Sequence, residues 1–386
     1  MEIYEEAVDA LLKKWDARRR VRRGEEPYKQ LSLGRKRQML ARIAAQSFDD
    51  GQFLLPERKL IQMIEAYMEY VPGMEDTDVD GGAILQSIAA RHGIFVEQAH
   101  AVYSFAHLSF QEYFTAKYIV SNVRQGTLER LLDHVTDDQW DEVFLLTVSL
   151  LDDDVDDFFA LFIERLNGIS AKSKEVQQLL TWAQEQAETA AHVQKLAFKP
   201  VSVRAWYLAL DLGYTLDIDL DPDPGYANAI VAHLDHNLDR TIAHDLDLEL
   251  ALDLDLDRTI NHNLFPDLAQ GINSARKLTQ QLGYLDLNKV LNQMSAFEPD
   301  EEMDSFFTSL SEVVQQIQER SGYTFLKKSM EGDVSILEEL NWDALDKDGI
   351  YTDYLRATGL LVECLPLAMV RDRVRIEEQL LRPVEV

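Results

Sequence analysis

His107 is the side chain of this sequence best placed to do chemistry. It follows Tyr103-Ser104-Phe105-Ala106, an alternating aromatic run, and precedes Leu108-Ser109-Phe110-Gln111-Glu112-Tyr113-Phe114, which carries apolar residues at helical spacing. An imidazole at the start of a helix lies at the positive end of the backbone dipole and can donate to a phosphate group. It can equally be a buried ring that fixes a strand-to-helix junction. Other groupings are weaker. Asp217–Gly225 crowds carboxylates as a hard cation requires, but Pro222 stands at the sixth position of an EF-hand count and Asn228 at the twelfth, so it reads as a solvated acidic turn. His233, His236, His244 and His262 have no cysteine nearby and no recognised zinc spacing, and recur because the sequence around them recurs. Ser104 and Ser109 lack the Gly-x-Ser-x-Gly setting of a nucleophile. No Gly-x-x-x-x-Gly-Lys-Ser/Thr loop occurs, so these 386 residues contain no backbone cradle with a lysine for a nucleoside triphosphate. No catalytic residue and no metal ligand is assigned.

The elements that must position His107 are legible on both sides of it. Ile94–Gln98 and Val102–Phe105 are β-branched and aromatic runs separated by Ala99-His100-Ala101, the pattern of a short hairpin. Ser109-Phe110-Gln111-Glu112 has the Ser-x-x-Glu form of a capping box and predicts a helix starting there, with Phe110, Tyr113 and Phe114 turned to the core. Upstream, helical patterns cover Ile3–Trp15, Arg35–Phe48 after Gly34, a segment opened by Pro56, and Ala83–His92 stopped at Gly93. Downstream they cover Leu128–Leu166, Lys172–Lys195, Met303–Arg320, Ile350–Leu365 and Val370–Leu381, with Asp152-Asp153-Asp154 at a helix start. Leu238–His244 repeats as Leu256–His262 at an offset of 18, which is five helical turns. Residues 245–257 alternate leucine with acidic residues or Ala251, which votes for strand. The repeat and the poor strand propensity of aspartate favour helix there.

Composition sets the outer limits. Hydrophobic residues make up 46% of the chain, enough for more than one core. The net charge of −30 opposes approach to phosphate backbones and anionic bilayers over most of the surface, so nucleic acid is an unlikely partner and no membrane role is expected. Residues 13–42 run the other way. Their twelve basic and three acidic side chains give about +9, which leaves about −39 for the rest. Such a segment could dock on an acidic surface or, in an alternative reading, touch DNA as a free-standing winged-helix regulator. Cys364 has no cysteine to pair with, sits in an apolar run and fits a reducing compartment. No signal-peptide core begins the sequence and no run of about 18 apolar residues follows, so a cytoplasmic location is expected.

Helices, a hairpin, and then Phe105-Ala106-His107-Leu108-Ser109-Phe110-Gln111-Glu112 together resemble the winged-helix end of NACHT-family signalling NTPases, of the bacterial and especially cyanobacterial type. Leu11–Asp16, Leu31–Lys36, Trp140–Val148, and Leu361–Leu365 followed by Glu377–Pro383 add to the likeness. The resemblance implies a mainly α chain: residues 1–33 ending a helical domain that adjoins a nucleotide-binding domain, a winged helix at 34–125, a helical linker domain at 126–200, an Asp/Leu-rich repeat region at 201–295 and a helical region at 296–386. It implies that His107 meets the phosphates of ADP or ATP held by a nucleotide-binding domain supplied elsewhere, and that this portion is regulatory, not an enzyme. It also implies protein partners, whether that domain, an effector or further copies in an oligomer, in stress, defence or cell-death signalling.

Overall fold

The computed structural model describes residues 10–11, 31–72, 79–151, 155–189, 199–209, 230, 234, 289, 345–346 and 348–384. The expected helix at Ile3–Trp15 apart from residues 10–11, that at Met303–Arg320, the basic stretch 13–30, Asp152–Asp154, the acidic run 217–225 and the repeats around 238–262 lie outside them. The chain is mainly α, and among the described residues the strands form one three-stranded antiparallel sheet. Contacts divide it into two compact units, Met1–Arg165 with Glu363–Arg373, and Leu166–Val362 with Val374–Val386.

In the first unit, α1 (Leu33–Asp49) starts one residue before Gly34, because the Ser32 hydroxyl accepts the Arg35 amide at 3.3 Å and caps the helix there. Its buried stripe of Met39, Leu40, Ile43, Ala44 and Phe48 packs on α4 (Leu108–Ser121), which contributes Tyr113, Phe114, Ala116 and Ile119. Between them lie α2 (Glu57–Glu69) and α3 (Gly81–Ser87), the latter followed by a π-helical turn at Ile88–His92. Gly93 ends that turn at φ 63°, the left-handed conformation glycine adopts without strain. Gly81 is needed for a different reason. A Cβ there would stand 2.7 Å from Glu65 Cγ, where α2 and α3 approach each other.

The hairpin is β2 (Phe95–Ala99) and β3 (Val102–Phe105), joined through His100 and Ala101, with Ala101 at φ 58° and a bulge between Glu97 and Ala99. The third strand, β1 (Leu55–Pro56), was not expected. Leu55 pairs with Tyr103 and Pro56 with Val102, so Pro56 is an edge-strand residue and the N-cap of α2 instead of a first-turn proline. Two residues are too few to show a period, and this strand exists only because β3 is there to receive it. Beyond α4 come α5 (Thr127–Leu131), 3₁₀ turns at Leu132–His134 and Asp138–Trp140, α6 (Asp141–Leu150) and α7 (Val155–Ser170). Cys364 is buried, and burial pushes its thiol pKa up.

In the second unit, α8 (Lys174–Thr189) packs on α9 (Pro200–Ala209), with Trp182 and Tyr207 edge to face at 5.4 Å. The C-terminal end is tied to this pair. Arg204, 1% exposed, donates from Nε and Nη2 to the Leu380 carbonyl at 3.2 and 2.9 Å, and from Nη2 to the Glu378 carbonyl at 3.1 Å. Its Nη1 reaches Gln184 Oε1 at 3.1 Å, and the Val384 amide donates to Gln177 Oε1 at 2.7 Å. The remaining described helices are α10 (Ile350–Cys364) and α11 (Arg373–Gln379).

Candidate functional site

The position of His107 follows from a sequence of backbone commitments. β3 ends at Phe105, and the Ala106 amide still donates to the Ile94 carbonyl at 2.8 Å, so the chain stays bound to the hairpin through that residue. His107 is the first residue free to turn. It is extended at φ −138°, ψ 144°, serves as the N-cap of α4, and its carbonyl accepts the Phe110 amide at 3.1 Å. Packing of Phe95 on Phe105 at 4.7 Å, and of Phe105 on Phe114 at 6.3 Å, joins hairpin and helix rigidly enough to fix that junction.

The ring itself is exposed, lying 5.9 Å from Phe110 at an interplanar angle of 58°. The alternative of a buried junction histidine does not describe it. Ser109 is not the N-cap: it falls inside the first turn, and α4 has neither a side-chain cap nor an acidic residue there. The capping box fails because the sheet, and not the Ser109 hydroxyl, decides where the helix may begin. Phe110 is half-buried beside His107, whereas Tyr113 and Phe114 lie in the core as expected. The result is an exposed imidazole next to first-turn amides that have no side-chain cap and no acidic residue in their own turn, an arrangement able to receive a phosphate oxygen.

Glu112, freed from the capping role, is half-buried. Its pKa is raised, first by burial and then by the nearby Glu142 charge, and burial raises Glu142 as well. A carboxyl whose pKa is higher folded than unfolded contributes stability below its unfolded value and loses it as pH rises through the folded one. At neutral pH the pair is therefore a cost. Glu112→Gln is expected to raise stability at neutral pH by about 0.5 kcal/mol once solvent screening is allowed for, with the gain fading toward about pH 4. Thermal melts at the two pH values read this. An equal gain at both would show that charge is not its source.

Two further features of this unit carried no sequence signal. Gln111, 2% exposed, donates from Nε2 to Ser47 Oγ at 2.9 Å and to the Gln52 carbonyl at 3.2 Å, which ties α4 to the end of α1. A cleft of about 310 Å³ between α1, α4 and the Thr127–Trp140 segment is lined by Arg42, Thr115, Arg130 and His134 among others. Lys36 is fully buried, so not every cation of the basic 13–42 stretch is presented to a partner. Among the described residues no three of His, Cys, Asp and Glu gather as metal ligands, and no helix is long and apolar enough to cross a membrane. The histidines at 233, 236, 244 and 262 lie outside those residues.

Residues 1–119 match a family model described as the winged helix-turn-helix domain C-terminal to NACHT. No curated protein and no solved structure matches the chain.

Proposed function

We propose that this chain, which carries in residues 1–119 a winged helix-turn-helix domain of the kind found C-terminal to NACHT, is a regulatory and non-catalytic part of a signalling NTPase. Its winged helix clamps a nucleotide-binding domain, and His107 with the first-turn amides of α4 meets the phosphates of bound ADP. The observation that carries this reading is the exposure of His107 at an α4 N-terminus without a side-chain cap or first-turn carboxylate, inside the segment that matches the family. A partner or ligand received by the helical region beyond residue 126 would favour the arrangement in which His107 leaves the phosphates, a shift of population between two pre-existing states. The setting is cytoplasmic signalling between proteins.

The test is ADP binding measured by calorimetry with the full chain, alone and together with its NACHT domain. The chain alone is expected to bind neither ADP nor ATP, since it has no phosphate loop. With the NACHT domain present, His107→Ala should weaken ADP about tenfold, the loss of one charge-assisted hydrogen bond. Unchanged affinity in that variant would sink the clamp. Tight ADP binding by the isolated chain would overturn the division of labour.

A further inference from the structure

We infer that the cleft between α1, α4 and the Thr127–Trp140 segment is a second, separate site that binds a small organic anion. Its ligand has an apolar or aromatic body and a carboxylate or phosphate. The site begins about two turns along α4 from His107 and shares no residue with it.

Three observations converge. The first is shape and surface. Ile119, Leu131 and Trp140 are buried and give the cleft an apolar floor, while Arg42 and Arg130 are exposed at its rim. A volume of about 310 Å³ suits a metabolite-sized ligand and is too small for a peptide helix.

The second is charge. Two guanidiniums stand on the rim of a chain whose net charge is −30. Arg130 is steadied by its hydrogen bond to the Gln125 carbonyl at 3.2 Å, and Arg42 by the Tyr70 ring 5.0 Å away. The one carboxylate on the lining, Asp49, faces His134 at 3.8 Å, and that imidazole is stacked on Trp140 at 4.0 Å. Cationic groups therefore predominate where an oxyanion would rest, and a guanidinium offers paired donors to a carboxylate or phosphate.

The third is an unsatisfied group. Thr115 lines the cleft, is 1% exposed, and its hydroxyl has no hydrogen-bond partner. A helical threonine can donate to the carbonyl four residues back, as Thr181 does to Gln177 and Thr358 to Tyr354, each at 2.7 Å, whereas Thr147 on α6 makes no such bond. Thr115 forgoes that bond. A buried hydroxyl without a partner is costly, and a ligand whose seating shifts the lining enough to reach it would remove the cost.

Saturation-transfer NMR on the full chain tests this with phenyl phosphate, benzoate, benzyl alcohol and benzylamine. At least one of the two anions should bind, with the neutral and cationic probes about tenfold weaker or worse. Phenyl phosphate alone would assign a phosphate ester, and benzoate alone a carboxylic acid. Arg42→Gln and Arg130→Gln, both at exposed positions, should each weaken the anion about tenfold. Thr115→Val should weaken it too while leaving the melting temperature of the free chain equal or higher, so that the loss of binding is not a loss of fold. His107→Ala should have no effect, so failure here is distinct from failure of the clamp. The site is overturned if neither anion binds, if all four probes bind alike, or if the arginine variants bind as the wild type does.

Discussion

Replacing Arg204 with methionine should destabilise the second unit by about 2–4 kcal/mol and loosen the C-terminal segment from α8 and α9. Methionine fills much of the same space, so the loss is not mainly a cavity. It comes from the buried Leu380 carbonyl and the part-buried Glu378 carbonyl and Gln184 Oε1, all of which lose a charged donor. Part of the loss is offset, because burial followed by the neighbouring Arg382 charge holds the Arg204 pKa down at about 10, and removing the charge removes that strain. Arg204→Lys should rescue little, since an ammonium cannot serve two carbonyls and an amide in the geometry of a planar fork. Denaturant unfolding measures the total. Hydrogen exchange at residues 378–384 locates it, and unchanged protection there would show that the remaining ties, Val384 to Gln177 and Lys199 to Glu377, hold the segment without Arg204.

The features that position His107 were legible for a physical reason. Strand and helix differ in apolar period, and that difference is visible in Val102–Phe105 followed by Leu108–Ser121. Gly93 could be read as a helix stop because only a residue tolerant of positive φ suits that position. Features created by tertiary pairing left no local trace. β1 exists only through β3, and Ser109 was denied its capping role by the hold of Ile94 on Ala106. The same applies to the anion cleft. Arg42 is far in sequence from Thr115 and Arg130, and a threonine that omits its helical back-bond is identical in sequence to one that makes it. Arg204 belongs here as well, because its two carbonyl partners, Glu378 and Leu380, lie more than 170 positions further on.

Gln111 joins the packing of the winged helix to the proposed clamp, and Gln111→Ala is expected to cost about 2–3 kcal/mol. The amide sits one turn beyond His107 on α4, where it donates to Ser47 Oγ and to the Gln52 carbonyl. The Ser47 hydroxyl donates in turn to the Ile43 carbonyl at 2.8 Å, so helix α1, the loop after it and the first turn of α4 form one hydrogen-bonded chain. Truncation leaves a cavity and an unsatisfied carbonyl together. Gln111→Leu fills the space and isolates the polar part, for which about 1–2 kcal/mol remains. In a double-mutant cycle with Ser47→Ala, the leucine variant should show a coupling energy well above measurement error, since the two side chains share one bond. The turn that Gln111 pins is the turn that presents His107. With the NACHT domain present, Gln111→Leu should therefore weaken ADP binding, although its side chain is buried out of reach of any phosphate. A stability loss accompanied by full ADP affinity would mean that the hairpin alone sets the direction of the imidazole, through the Ala106–Ile94 bond and the contact of Phe105 with Phe114.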